Sequence, residues 1–269
     1  MHKRQLALCI LVTFVFAIST SAQTPCPFDS SDVDQLARCL LRPVKIYGNP
    51  GTAPAALPVP LDGLIGKQVD VKTESLKRYL DAQSITEASI GGLLSTPLTT
   101  ARYFVIHDTS YPYLKDDPFP ADIDESTWAG NNLRRWEQVK VTHVYVNRLG
   151  ESATASNFEQ TVGATKYERR NPGRKGLFVH VELIQPRRRD PGGGASNDAL
   201  APSPGFTAKQ LDRLALLYVA ASVRRGRWLL PAFHATVDAG IPDAHDDPQN
   251  FDLDAWLASL QRLLTELRQ

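Results

Sequence analysis

Three stretches of the chain after residue 100 have hydrophobic patterns that predict β-strands: the first is a short apolar run that contains β-branched residues, and the other two alternate between hydrophobic and polar positions. The stretches are residues 102–107, 139–147 and 177–184. Successive side chains of a strand point to opposite faces of its sheet, so His180 and Glu182 share one face of the third stretch. We therefore expect these two polar groups on the same side of a sheet.

Apolar residues in the first part of the chain recur at helical spacing. This pattern predicts a helix over residues 31–42 and another over residues 73–82. Residues 49–60 are rich in Pro, Gly and Ala and are typical of a linker. We interpret residues 23–100 as a mostly helical N-terminal extension that packs on the C-terminal part of the chain.

The clearest helical pattern covers residues 207–225. A capping box begins at Thr207, and Gly226 is suited to the C-terminal stop. A last helix with an apolar stripe begins at Asp252 or Asp254. Strands mixed with helices indicate an α/β domain over residues 101–269.

A long Pro- and Gly-rich loop is predicted over residues 186–205, and it contains three consecutive arginines, Arg187, Arg188 and Arg189. One interpretation is a solvated loop, and the other is contact with an acidic polymer. Over the whole chain of 269 residues the formal net charge is only +1, and the basic residues are mostly dispersed. This composition argues against a nucleic-acid partner.

The N-terminus has the pattern of a secretory signal peptide. A basic start at residues 2–4 precedes an apolar run at 6–18, and small residues at 20–22 offer cleavage after Ala22. The apolar run is short for a bilayer span, although an uncleaved anchor is the alternative. We expect a secreted or periplasmic protein with no stable membrane insertion after cleavage.

Cleavage after Ala22 would remove Cys9 and leave Cys26 and Cys39. Two cysteines in an oxidising compartment indicate a disulfide, with two free thiols as the alternative.

Histidines that could bind a metal occur near apolar segments or acidic residues at several points of the chain. His107 ends a predicted strand, His234 follows another apolar stretch, and His245 lies beside two aspartates. Two histidines and one carboxylate are a standard set for a catalytic zinc, which lowers the pKa of its water to about 7. Glu182 is a candidate proton acceptor, because a carboxylate on an apolar strand is costly unless it is paired or functional.

Six segments occur in an order that is typical of one enzyme family. They are YFVIHDTS at 103–110, THVYVNRLG at 142–150, VHVEL at 179–183, FTAKQL at 206–211, FH at 233–234, and DP at 247–248 followed by FDL at 251–253. The chain resembles the zinc-dependent N-acetylmuramoyl-L-alanine amidases, which share a fold with a phage lysozyme and the peptidoglycan recognition proteins. The resemblance implies a central mixed β-sheet flanked by helices.

The resemblance also implies roles for individual residues. His107, His234 and Asp247 would be the zinc ligands, and Glu182 would be the general base. His245, two places before the last ligand, would stabilise the oxyanion as a protonated imidazole.

The sequence offers four candidates for the third ligand. The interval from His234 to Asp247 is longer than in the relatives, so Asp243, His245 and Asp246 are rival ligands. Asp247 is preferred because Pro248 continues the family motif.

The function implied is hydrolysis of the amide between N-acetylmuramic acid and L-alanine, with peptidoglycan or muropeptides as partners and Zn²⁺ as cofactor. One alternative is a recognition protein that binds peptidoglycan without cleaving it. The other is a zinc peptidase that acts on the stem peptide. His143 is expected to be structural, while His180 either orients Glu182 or has a structural role.

Overall fold

The structure is a computed structural model and describes residues 24–44, 46, 50–193 and 199–269. The predicted signal peptide, residues 1–22, lies outside the described residues. Among the residues described, no helix has the length and apolar character needed to cross a membrane.

A mixed β-sheet of five strands forms the centre of the molecule. Its spatial order is β3-β2-β4-β1-β7, and β5 and β6 pair separately as a two-stranded ribbon. The strands are β1 (Tyr103–Asp108), β2 (Val144–Val146), β3 (Ser152–Thr154), β4 (Phe178–Leu183), β5 (Arg188–Arg189), β6 (Ala199–Leu200) and β7 (Leu230–Phe233).

The directions of the strands determine where a site can form. β1 runs parallel to both β4 and β7, β2 runs parallel to β4, and only β3 at the edge is antiparallel. The carboxyl ends of four strands therefore meet at one edge of the sheet, which is where open α/β sheets bind ligands. His107 and Glu182 are register partners near this edge.

Two predicted strands are confirmed to within about a residue or two, but the middle one is much shorter than expected. Residues 139–142 leave the strand pattern, and Val141 is 59% exposed. The hydroxyl of Tyr145 donates to the carbonyl of Val139, which draws this segment back toward the strand. Alternation alone does not distinguish such a turn from extended chain.

Seven α-helices accompany the sheet in the described part of the chain. They are α1 (Val33–Leu40), α2 (Leu61–Leu64), α3 (Thr73–Ala82), α4 (Lys166–Arg170), α5 (Ala208–Arg225), α6 (His234–Val237) and α7 (Leu253–Leu267). The predicted helix over 73–82 is confirmed. α5 has the expected capping box at Thr207 and ends at Gly226, which adopts the left-handed conformation, φ 72°.

Aromatic contacts cover both faces of the sheet. The ring of Phe104 meets Tyr218 of α5 at 5.4 Å, and Tyr218 in turn contacts Trp256 of α7 at 5.6 Å. The adjacent residue of β1, Tyr103, has its side chain on the opposite face, where its ring packs against that of Phe28 with centroids 5.5 Å apart. His107 shares the face of Tyr103, so the site forms on the side away from α5.

The N-terminal segment packs directly behind the strand that leads to His234. α1 contacts β7 and α6, and the hydroxyl of Thr236 donates to the carbonyl of Leu40 at 2.8 Å. Cys26 and Cys39 form a disulfide with their Cα atoms 5.7 Å apart, which confirms the expected pairing. This bond ties the chain preceding α1 to the end of that helix.

We expect loss of the disulfide to lower the free energy of unfolding by about 3 kcal/mol, because a closed loop restricts the unfolded chain. Urea unfolding of the oxidised and reduced protein, with the Cys26→Ser/Cys39→Ser variant alongside, measures this difference. Equal free energies of unfolding for the oxidised and reduced forms would contradict the prediction.

Candidate metal centre

Three side chains that are distant in sequence converge at the carboxyl edge of the sheet. His107 lies near the end of β1, His234 begins α6 directly after β7, and Asp247 lies in the loop before α7. The two histidine Nδ1 atoms are 2.9 Å apart, and Asp247 Oδ2 is 3.1 Å from Nδ1 of His234 and 3.5 Å from Nδ1 of His107. All three residues are buried, and their ligand atoms lie within 4.8 Å of one another.

This group can hold a metal ion. Two nitrogens and one oxygen are a donor set suited to zinc and to other divalent ions that accept imidazole. Two of the donors project from the ends of adjacent strands, which limits their movement.

Among the rival third ligands, Asp247 is the carboxylate that joins the two histidines. Asp246 pairs instead with Arg187 at 3.3 Å, and Asp243 is exposed.

The pKa values of the two histidines at the centre are shifted in opposite directions. Burial lowers the pKa of His107 to about 3, assisted by the nearby charge of His234. Burial also disfavours the charged form of His234, but the carboxylates of Asp247 and Asp238 outweigh it and raise its pKa to about 10. Without a metal, one proton thus supplies positive charge between two imidazoles and a carboxylate.

Glu182 stands beside this group on the neighbouring strand. Its Oε1 atom is 3.9 Å from Nδ1 of His107, and its Oε2 atom is buried with no hydrogen-bond partner among the described residues. Burial, followed by the negative charge of Asp247, raises the pKa of Glu182 well above its usual range. A buried carboxylate oxygen without a partner is suited to accept a proton from a bound molecule.

His245 lies at the solvent side of the centre. Its ring stacks on that of His234 with centroids 4.5 Å apart, and its Nδ1 atom is 3.7 Å from Oδ1 of Asp247. Burial and the charge of His234 lower its pKa. This direction disfavours the protonated form that the resemblance implies for His245.

A cavity of 830 Å³ opens beside the centre. Glu182, His234, His245 and Asp247 line one part of it. Other lining residues include Thr109, Ser110, Lys140, Val141, Gln160 and Arg169. Two of the three candidate ligands, His234 and Asp247, therefore line a space large enough for a small organic group.

A buried ion pair supports the loop that carries Asp247. Asp108 donates its backbone N–H to Oδ2 of Asp247 at 3.2 Å, and its own carboxylate pairs with Arg187 at 2.7 Å. Gln249 donates its backbone N–H to the same carboxylate at 3.1 Å. Arg187 is only 1% exposed, so it belongs neither to a solvated loop nor to a polymer-binding surface.

The two remaining histidines lie behind the centre. His180 Nδ1 is 3.0 Å from Nε2 of His107, so His180 contacts a candidate ligand. His143 accepts the backbone N–H of His180 at Nδ1, and its Nε2 contacts the carbonyl of Gln160 at 2.9 Å. These contacts agree with a structural role for His143.

Sequence reasoning missed two buried carboxylates in this region, Glu168 and Asp238. Asp238 Oδ2 lies 3.0 Å from Nε2 of His234, and Glu168 Oε2 lies 3.1 Å from Nε2 of His180. The sequence contains a local pattern that could have identified each of these carboxylates. Asp238 follows His234 by four residues, which is one helical turn, and Glu168 completes a capping box that begins at Thr165.

The chain matches no family model, no curated protein and no solved structure.

Proposed function

We propose that this chain is a secreted zinc hydrolase that cleaves the amide bond between N-acetylmuramic acid and L-alanine in peptidoglycan. The observation that carries the proposal is the convergence of His107, His234 and Asp247. His234 and Asp247 line a cavity, and the carboxylate of Glu182 lies beside the group and lines the same cavity. The order of the six sequence segments supports the amidase assignment, and the donor set supports zinc.

A zinc ion held by the three ligands would supply Lewis acidity toward the amide carbonyl and lower the pKa of a water molecule to about 7. Glu182 accepts a proton from the attacking water and delivers it to the leaving nitrogen of alanine. Its position beside the candidate ligands and its buried Oε2 atom, which has no hydrogen-bond partner among the described residues, support this role.

His245 donates a hydrogen bond to the oxygen that becomes negative during attack. Its position on the cavity wall, beside His234 and Asp247, supports this role. A neutral imidazole still carries one N–H, so the lowered pKa of His245 is compatible with donation. Removing one such donor from other hydrolases typically costs about 10²–10³-fold in kcat.

Location and substrate are inferred from other features. The signal-peptide pattern and the Cys26–Cys39 disulfide support export to an oxidising compartment, where cell-wall polymer is accessible. Lys140 and Arg169 line the cavity that contains the candidate centre. They offer positive charge to a ligand that carries carboxylates, as peptidoglycan stem peptides do.

We expect the zinc-loaded protein to release stem peptides that begin with a free alanine amine and to leave glycan without peptide. Mass spectrometry of digested peptidoglycan measures both products, with a chelator-treated sample as the control. Cuts between amino acids of the stem would favour the zinc peptidase. Binding to peptidoglycan without any released fragment would favour the recognition protein.

A further inference from the structure

A line of buried polar groups extends behind His107, away from the cavity. Nε2 of His107 lies 3.0 Å from Nδ1 of His180, and Nε2 of His180 lies 3.1 Å from Oε2 of Glu168. His180 and Glu168 are fully buried. The second contact has the distance of a close ion pair, and Nε2 of His180 has no other hydrogen-bond partner among the described residues.

Only one arrangement of protons satisfies this line when His107 uses Nδ1 as a metal ligand. Nε2 of His107 then carries the hydrogen and donates it to Nδ1 of His180. His180 must carry its own hydrogen on Nε2, which faces the carboxylate of Glu168. The N–H groups of these two neutral imidazoles therefore point the same way, from the candidate metal position toward the buried carboxylate of Glu168.

A second line begins behind the other histidine. Nε2 of His234 lies 3.0 Å from Oδ2 of Asp238. The carboxylate of Asp238 also accepts the backbone N–H groups of Lys166 at 3.1 Å and Tyr167 at 2.8 Å. Lys166 and Tyr167 are the first two residues of α4, and Glu168 is the third. The two lines therefore end on the same short helix.

We propose that α4 orients both metal-binding imidazoles, with Glu168 acting through His180 and Asp238 acting directly on His234. This inference rests on the proposed zinc centre and adds two positioning residues to it. A carboxylate behind a metal-bound histidine selects the ring tautomer, fixes the ring orientation and makes the nitrogen a stronger ligand. Loss of such a partner typically weakens metal binding by about 10–100-fold.

A purely structural role for Glu168 is the competing explanation, because its side chain also closes the capping box. Its Oε2 atom accepts the backbone N–H of Thr165 at 3.1 Å and the Thr165 hydroxyl at 2.8 Å. The chain itself shows how to separate the two roles. In α5 the equivalent capping box pairs Thr207 with Gln210, so glutamine serves at this position of a helix.

The test compares Glu168→Gln with Thr165→Ala. Glu168→Gln keeps a side chain that can cap α4 but removes the negative charge behind His180. Thr165→Ala removes the cap and leaves that charge in place. We expect Glu168→Gln to weaken zinc binding by about 10–100-fold, while Thr165→Ala lowers thermal stability and leaves zinc affinity near that of the wild type.

Zinc affinity is measured by competition with a chromophoric chelator, and circular dichroism verifies that each variant is folded. Asp238→Asn is an independent second variant, which we expect to weaken zinc binding over the same range through His234. Cobalt substitution adds a spectroscopic readout, because a reoriented imidazole changes the visible absorption of the bound ion.

Wild-type zinc affinity in both Glu168→Gln and Asp238→Asn would overturn the inference. An equal loss of affinity in Thr165→Ala and Glu168→Gln would also overturn it, because the helix cap would then explain the effect. The readout is metal affinity, so a protein that binds zinc but releases no stem peptides overturns the proposed reaction and leaves this inference standing. A wild-type protein that binds no zinc overturns both.

Discussion

Replacing Glu182 with glutamine is expected to lower kcat for the release of stem peptides by about 10²–10⁴-fold, the usual contribution of a general base. Glutamine has nearly the same shape as glutamate but cannot accept the proton from water. Glu182 lies 3.9 Å from the Nδ1 atom of His107, farther than the contacts among the three candidate ligands. Zinc should therefore stay bound in this variant.

The measurement combines initial rates on peptidoglycan with the zinc content of the same samples. Glu137→Gln is the matched control, because it makes the same chemical change at an exposed position away from the cavity lining. We expect the control to retain wild-type kcat. Normal hydrolysis by Glu182→Gln would show that another group accepts the proton, and would remove the central catalytic assignment.

Replacing Asp247 with alanine is expected to weaken zinc binding by more than about 100-fold. Loss of a partner behind a ligand typically costs about 10–100-fold, and Asp247 is proposed as a ligand itself. Its carboxylate is also the group that brings negative charge to both His107 and His234. Hydrolysis should fall together with zinc content.

Asp243→Ala is the control for this second prediction. Asp243 is a rival third ligand from sequence, but it is exposed and does not belong to the buried group. Zinc binding by Asp243→Ala should match the wild type when measured by metal analysis after dialysis. Retention of zinc by Asp247→Ala, with loss in Asp243→Ala, would reassign the third ligand and require a different loop conformation.

The features that the sequence determined are those set by interactions between near neighbours. The capping box and glycine stop define the helix that begins after Thr207, because their hydrogen bonds join residues only a few positions apart. For the same reason, the first strand follows from a short apolar run and the third from alternation. The disulfide was predicted from the number of cysteines, since only Cys26 and Cys39 are left after the expected cleavage.

The candidate ligands were also found from sequence, but through the order of motifs and not through spacing. His107 and His234 are separated by 127 residues, and no local pattern relates them. Their convergence required β1 and β7 to become parallel neighbours in the sheet. Only the fold decided that Asp247, and not Asp246, completes the group.

Burial and its consequences for charge belong to the tertiary structure alone. Arg187 stands in a run of arginines that suggests solvent exposure, yet Asp108 pairs with it inside the protein. The raised pKa of Glu182, the lowered pKa of His245 and the contact of Glu168 with His180 depend on groups from other elements. Solvent exclusion and long-range electrostatics act between elements that meet only after folding, which is why periodicity along the chain carried no signal for them.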